Sequence, residues 1–263
     1  MDRIRVADGV QLAVAEAGEG PAVVFVHGLG GSSYAWLPVL RLCADAGYRA
    51  IAYDQRGAGL SAKPRGPYSV ELWASDLVGL LDARGIEQAA LVGNSVGGMV
   101  AERAALALGE RCFALAMVGS ALEWAPAAGP VFAERERLAR QGRMDEIAAA
   151  VAQTALSERC RAASPALHSL FAAMVAANDP EAYAESCAAT AQATMEAPER
   201  VGCPALALCG ELDPVTPPEA SRAIAAAMPR CRPEQVAGAA HWCQVEAPEA
   251  VAEAVMRLLR EAG

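Results

Sequence analysis

The chain has 263 residues, a formal net charge of −9, and 54% hydrophobic residues, many of them alanine. That length suits one large domain with an insertion rather than two independent cores. The acidic balance repels phosphate backbones and anionic headgroups, which excludes nucleic acid and a charged membrane surface as partners, and no apolar run approaches the roughly 20 residues of a membrane span.

The N-terminus opens with Asp2, Arg3 and Arg5 and has no long apolar stretch before a small-residue cleavage site. No secretory leader is read there, so a cytoplasmic location is expected. Further along, apolar runs of four or five residues predict buried strands at Ala22–Val26, Ala50–Tyr53, Ala89–Val92 and Ala114–Val118, with a fifth at Ala205–Cys209. Between them, Val70–Leu81 and Val96–Leu108 carry apolar residues at helical spacing, as does Pro248–Leu259 near the end. Strand alternating with helix predicts an α/β domain around a mostly parallel sheet.

From about Ala121 to Thr194 the strand signal stops, and the sequence reads as short alanine-rich helices broken at Pro126, Pro130, Pro165 and Pro180. The expectation is a helical lid of residues 121–194 inserted into a core made of 1–120 and 195–263. Eight cysteines are scattered without a Cys-x-x-Cys pair or zinc-like spacing, which favours reduced structural thiols and no metal.

The most specific motif is Leu91-Val92-Gly93-Asn94-Ser95-Val96-Gly97-Gly98, a strand that runs through Gly-x-Ser-x-Gly into a helix. Such a turn strains the serine backbone, so it needs small neighbours, which Gly93, Gly97 and Gly98 provide. Ser95 is the candidate nucleophile. A serine hydroxyl needs a base to take its proton, and the sequence holds three histidines. His27 precedes Gly28-Leu29-Gly30-Gly31 and is read as shaping that loop; His168 lies among the lid's apolar positions and is given no role. His241, after Ala237-Gly238-Ala239-Ala240 and before the last helix, is the candidate base. An acid should lie between serine and histidine in sequence. Asp213, flanked by Gly210 and Pro214, is preferred over its rival Glu211.

A tetrahedral intermediate needs two N–H donors, and Val96 and Leu29 are the candidates for this oxyanion hole. The glycine loop at 28–31 with Asp54 downstream could also suggest a dinucleotide fingerprint, but Ser33 stands where the third glycine belongs. Trp36, Trp124 and Trp242 are candidates to line the substrate pocket.

These landmarks resemble the α/β-hydrolase superfamily along the whole chain. Tyr53-Asp54-Gln55-Arg56-Gly57-Ala58-Gly59-Leu60-Ser61 is similar to that family's Asp-x-Arg-Gly-x-Gly-x-Ser turn, and Gly210 to Pro214 resembles its acid loop. Pro67–Leu81 and Ala177-Asn178-Asp179-Pro180 resemble 3-oxoadipate enol-lactonase-like hydrolases. Gly93-Asn94-Ser95 and His241–Glu246 resemble the meta-cleavage product hydrolases, which cut carbon–carbon bonds and use a lid arginine; Arg137, Arg140 and Arg143 are candidates for it.

The resemblance implies an α/β-hydrolase fold, a serine hydrolase acting on a small-molecule ester or lactone, and no cofactor. Carbon–carbon hydrolysis, cofactor-free haloperoxidase or perhydrolase chemistry, and a ligand receptor that keeps the triad stay open as alternatives. Epoxide hydrolases and haloalkane dehalogenases use an aspartate where Ser95 stands. Lyases that depend on a lid lysine do not fit, because the single lysine, Lys63, lies outside the lid.

Overall fold

A computed structural model describes residues 1–6 and 9–263. The first half holds β1 (Asp2–Arg5), β2 (Gln11–Ala17), β3 (Ala22–Val26), α1 (Leu37–Asp45), β4 (Arg49–Tyr53), α2 (Val70–Ala83), β5 (Ala89–Asn94), α3 (Val96–Leu108) and β6 (Cys112–Val118). Five helices follow: α4 (Ala128–Arg140), α5 (Met144–Ala155), α6 (Glu158–Ala163), α7 (Pro165–Ala176) and α8 (Pro180–Ala191). The chain ends with β7 (Ala205–Gly210), α9 (Pro218–Ala227), β8 (Cys231–Val236), α10 (Cys243–Glu246) and α11 (Pro248–Ala262).

All eight strands form one sheet in the order β1-β2-β4-β3-β5-β6-β7-β8. β2 runs antiparallel to β1 and β4, and the other pairings are parallel. Successive side chains on a strand point to opposite faces, so each central strand feeds two cores. Val24, Val26, Leu91 and Met117 pack with Leu77 and Leu80 of α2 and Met99 of α3. On the other face, Val23, Phe25, Val92 and Leu206 pack with Val39 of α1 and Val255 and Leu258 of α11. Fully burying each Val or Leu side chain contributes about 1.5–3 kcal/mol, which explains why β3, β5 and β7 carry no charged residue.

Three strands lie outside the predicted runs, and two of them, β1 and β8, are polar for a physical reason. β1 is one edge of the sheet and β8 the other, where one side of the ladder has no partner, whereas β2 is paired on both sides and buries Leu12, Ala13 and Val14. In β8 the sequence Cys-Arg-Pro-Glu-Gln-Val carries a proline, tolerated at a sheet edge, and Glu234 pairs with Arg257 of α11 at 2.6 Å.

Two of the five helices between β6 and β7 start at capping side chains: Ser157 accepts from Cys160 N before α6, and Asp179 from Ala182 N before α8, with Pro180 at the first helical position. Their core is Ile147, Val151, Phe171, Val175 and Tyr183, and it is completed by Ala35 and Trp242 from outside the insertion. The molecule is thus an α/β-hydrolase fold with an inserted helical lid. No helix among the described residues is long and apolar enough to cross a membrane.

Candidate active site

Parallel pairing brings the carboxyl ends of β5, β6 and β7 side by side, with Asn94 opposite Val118 and Val118 opposite Leu208. The loops leaving these ends meet in one crevice, the usual place for a ligand in such a sheet.

Ser95 sits between β5 and α3 with φ 55° and ψ −124°, the one positive φ among the described non-glycine residues. The turn is closed by lack of side chains: a β-carbon on Gly93 would lie 2.0 Å from the Gly97 carbonyl oxygen. Ser95 N donates to Val118 O at 2.9 Å, and the Ser120 hydroxyl donates to Ser95 O at 2.9 Å. Asn94 turns inward and donates from Nδ2 to Val118 O at 3.0 Å. These bonds hold a backbone conformation that costs about 1–3 kcal/mol.

His241, on the loop after β8, has Nδ1 2.8 Å from Asp213 Oδ2. A proton on Nδ1 donates to the carboxylate and leaves Nε2 as an acceptor. Asp213 is nearly fully buried, and its other contacts are all donors: Val215 N and Thr216 N reach Oδ1 at 2.8 and 2.9 Å, and Thr216 Oγ1 reaches Oδ2 at 2.8 Å. Burial by itself raises this carboxyl's pKa, but the His241 charge and the hydrogen bonds from His241 and Thr216 outweigh it and hold the group below its ordinary value. Glu211, the rival acid, is exposed and accepts from Gly238 N at 2.8 Å, so it braces the turn before His241.

Ser95 and His241 line a cavity of about 40 Å³ together with Leu29, Trp124 and Trp242, so the structure brings five of the expected site residues to one place. Val96 is the first residue of α3, where backbone N–H groups have no intrahelical partner. Trp124 is fixed by a 2.6 Å bond from Nε1 to Thr190 O and stands edge-on to Phe132, and Trp242 stands edge-on to Phe171 with centroids 4.9 Å apart. Trp36 corrects the sequence reading. It is fully buried on the far face of the sheet, 5.1 Å from the Phe25 ring, and does not line the cavity. The turn over Ser33–Trp36 points this large apolar side chain into the α1 core instead.

His27 shapes a loop. Gln55 N donates to its Nε2 at 3.0 Å, which places the proton on Nδ1, 2.8 Å from Gly28 O. Burial lowers its pKa against the opposing pull of Asp54, so the ring stays neutral.

Other contacts were not legible in sequence because their partners lie far apart along the chain. Glu246 accepts from Ala240 N at 2.9 Å and Ser157 N at 3.0 Å, and so ties the histidine loop to the lid. Trp242 N donates to Ala155 O of α5 at 3.0 Å, and Asn178 Nδ2 donates to Gly30 O at 3.0 Å, fixing the glycine loop from the lid side. Arg137, Arg140 and Arg143 are spent on surface pairs with Glu134, with Glu136, Glu181 and Glu185, and with Glu146. The lid arginine that lines the cavity is Arg135. Its position one turn after Phe132 is the signal that would have placed it on the inner face of α4.

Residues 23–254 match the family described as Alpha/beta hydrolase family. The chain is 29% identical to 3-oxoadipate enol-lactonase 2 of Acinetobacter baylyi over 91% of its length and 89% of that protein. It is 30% identical to 2-hydroxymuconate semialdehyde hydrolase of Pseudomonas sp. (strain CF600), covering 98% of this chain and 93% of that protein. Among solved structures, the enol-lactonase from Burkholderia xenovorans LB400 superposes with a TM-score of 0.92 at 27% identity, over 98% of this chain and 100% of that one. The chain spans about a third of the length of the epoxide hydrolases that it matches over shorter stretches. On the family match and these full-length relatives, the chain belongs to the alpha/beta hydrolase family.

Proposed function

We propose that this protein hydrolyses a small carboxylic ester or lactone through an acyl-enzyme on Ser95. The observation that carries the reading is the 2.8 Å contact between Asp213 Oδ2 and His241 Nδ1, in a cavity that His241 shares with the strained Ser95. His241 Nε2 takes the Ser95 proton as Oγ bonds to the substrate carbonyl carbon. The developing oxyanion is met by the N–H groups of Val96 and Leu29. As the tetrahedral intermediate collapses, the imidazolium gives its proton to the leaving alkoxide or enolate. Water then attacks the acyl group with His241 as base again, releasing the acid and restoring Ser95.

The test is hydrolysis of p-nitrophenyl acetate and butyrate by wild type and Ser95→Ala, with fluorophosphonate labelling mapped by mass spectrometry. Turnover of roughly 1 to 10³ per second in the wild type, a fall of several orders of magnitude in the variant and a single label on Ser95 are expected. Activity retained by Ser95→Ala overturns the assignment.

The similarity to 2-hydroxymuconate semialdehyde hydrolase over 98% of the chain favours a second reading, hydrolysis of a carbon–carbon bond by the same residues. A carbon leaving group must be protonated, which asks for polar groups beyond one histidine. Comparing kcat/KM for a butyrate ester, an enol-lactone and a vinylogous 1,5-diketone separates the two, and a clear preference for the diketone selects the second.

A further inference from the structure

A second cavity, larger than that of Ser95, lies between the lid and the core. It measures about 530 Å³ and is bounded by Leu167, Leu170, Phe171 and Met174 of α7 on one side and by Ser32 and Leu60 of the core loops on the other. Among the described residues none lines both cavities. Phe171 lines the outer one and Trp242 the inner one, and their rings meet edge-on with centroids 4.9 Å apart, so an aromatic wall divides the two.

The walls of the outer cavity specify what it can hold. α7 carries no Asp, Glu, Lys or Arg, and a helix that is apolar all round is normally buried. Here only Phe171 and Val175 are buried, and Leu170 is left 69% exposed. Ser32 lines the cavity, is 4% exposed, and has a hydroxyl with no hydrogen-bond partner. A buried hydroxyl in that state costs about 1–3 kcal/mol, which the polar group of a ligand would recover. No Asp, Glu, Lys, Arg or His lines this cavity among the described residues, so an ion placed there would lose its water without gaining a countercharge. The volume falls within the range of small-molecule sites, about 300–1,000 Å³.

We propose that this cavity is a second binding site, distinct from the catalytic one, for a neutral amphiphile: an alkyl or aryl body packed on α7, with a single hydroxyl or amine hydrogen-bonded to Ser32. The inference does not depend on which bond Ser95 cleaves. Such a ligand bridges α7 and the glycine loop, which Asn178 already clasps by donating from Nδ2 to Gly30 O at 3.0 Å. Occupation therefore tightens the lid on the loop that carries Leu29, without entering the Ser95 cavity.

The experiment titrates the full chain with N-phenyl-1-naphthylamine, a neutral aromatic amine that fluoresces in apolar surroundings, and displaces it with 1-octanol. Saturable binding at one site is expected. Leu170→Glu, at an exposed position, puts a charge into the outer cavity and should weaken probe binding by roughly tenfold or more. Thr154→Glu, likewise exposed, does the same to the Ser95 cavity and should leave probe binding unchanged. Ser32→Ala should raise the 1-octanol concentration needed for displacement by roughly 3- to 10-fold, the weight of one hydrogen bond. Octanoate, with the same number of carbons and a carboxylate, should need roughly tenfold more than 1-octanol. In saturating 1-octanol, hydrogen exchange should slow over residues 30–35 and 165–178. No saturable binding, binding unaffected by Leu170→Glu, or binding lost in Thr154→Glu overturns the site. Octanoate that displaces the probe as well as 1-octanol overturns the neutral ligand class, and exchange unchanged in both segments overturns the tightening of the lid.

Discussion

Gly119 stands directly behind the Asp213–His241 pair: a β-carbon placed on it would lie 3.3 Å from Asp213 Oδ2, 3.3 Å from His241 Nδ1 and 3.0 Å from His241 O. Its φ of 58° adds strain for any other residue. Gly119→Ala should therefore push the pair out of line and lower kcat/KM by roughly 10- to 100-fold, since small misplacements at a reacting centre are costly. Steady-state kinetics beside a thermal melt checks this. Full activity in the variant would mean that the pair tolerates displacement.

Ser95 holds φ 55° against the preference of an L residue. Replacing it by glycine removes that conflict, whereas alanine keeps it. Ser95→Gly should be more stable than Ser95→Ala by about 1 kcal/mol, or roughly 2–4 °C in Tm for a chain of this size, although both lack the hydroxyl. Parallel melts of the two inactive variants measure the difference. An alanine variant as stable as the glycine one would show that the turn stores no strain.

Glu246 fastens Ala240 N and Ser157 N with one carboxylate oxygen, and takes the Ser157 hydroxyl with the other. In Glu246→Ala these donors lose their acceptor, at about 1–3 kcal/mol. The stability loss should appear in urea unfolding, and hydrogen exchange should quicken at the amides of Ala240 and Ser157 ahead of the sheet. Exchange that quickens uniformly across the protein would contradict a local tie.

Asp213 links the site to pH. Its carboxyl is held below the ordinary value because the attraction of His241 and the Thr216 and His241 hydrogen bonds exceed the opposing effect of burial. A carboxyl whose pKa is lower folded than unfolded adds stability above the unfolded value, near 3.9, and loses it as pH falls through the folded value. Asp213→Asn lacks this contribution. The gap in urea midpoint between wild type and Asp213→Asn should thus narrow from about pH 5 to about pH 3. A constant gap would mean that the carboxyl is not depressed.

Much of the frame was readable because buried parallel strands must be apolar. β3, β5 and β7 announce themselves, and the Gly-x-Ser-x-Gly turn between β5 and α3 locates Ser95 without coordinates. The polar edges of the sheet hid β1 and β8, since a half-solvated strand needs no apolar run, whereas β2 was passed over despite its buried Leu12, Ala13 and Val14. Trp36 was misplaced because proximity to the glycine loop says nothing about which face of the sheet a side chain enters. Arg135 was passed over for Arg137, Arg140 and Arg143, which have the same composition and differ only in the direction they leave the helix. Thr216 was missed for another reason. Its worth lies in three-dimensional contact with Asp213, and a threonine in a loop carries no pattern of its own.

The lid does not finish its own interior, because Trp242 fills the space among Val151, Phe171 and Tyr183. An indole of this kind covers on the order of 150–250 Å² of apolar surface. The insertion is for that reason not an interchangeable module. A chimera that exchanges residues 121–194 for those of another hydrolase would leave the Trp242 ring facing a foreign wall and Glu246 reaching for a serine that is no longer there. Recombination of lids in this fold should succeed at breakpoints that carry the segment 240–246 along with the helices, and fail at breakpoints that divide them.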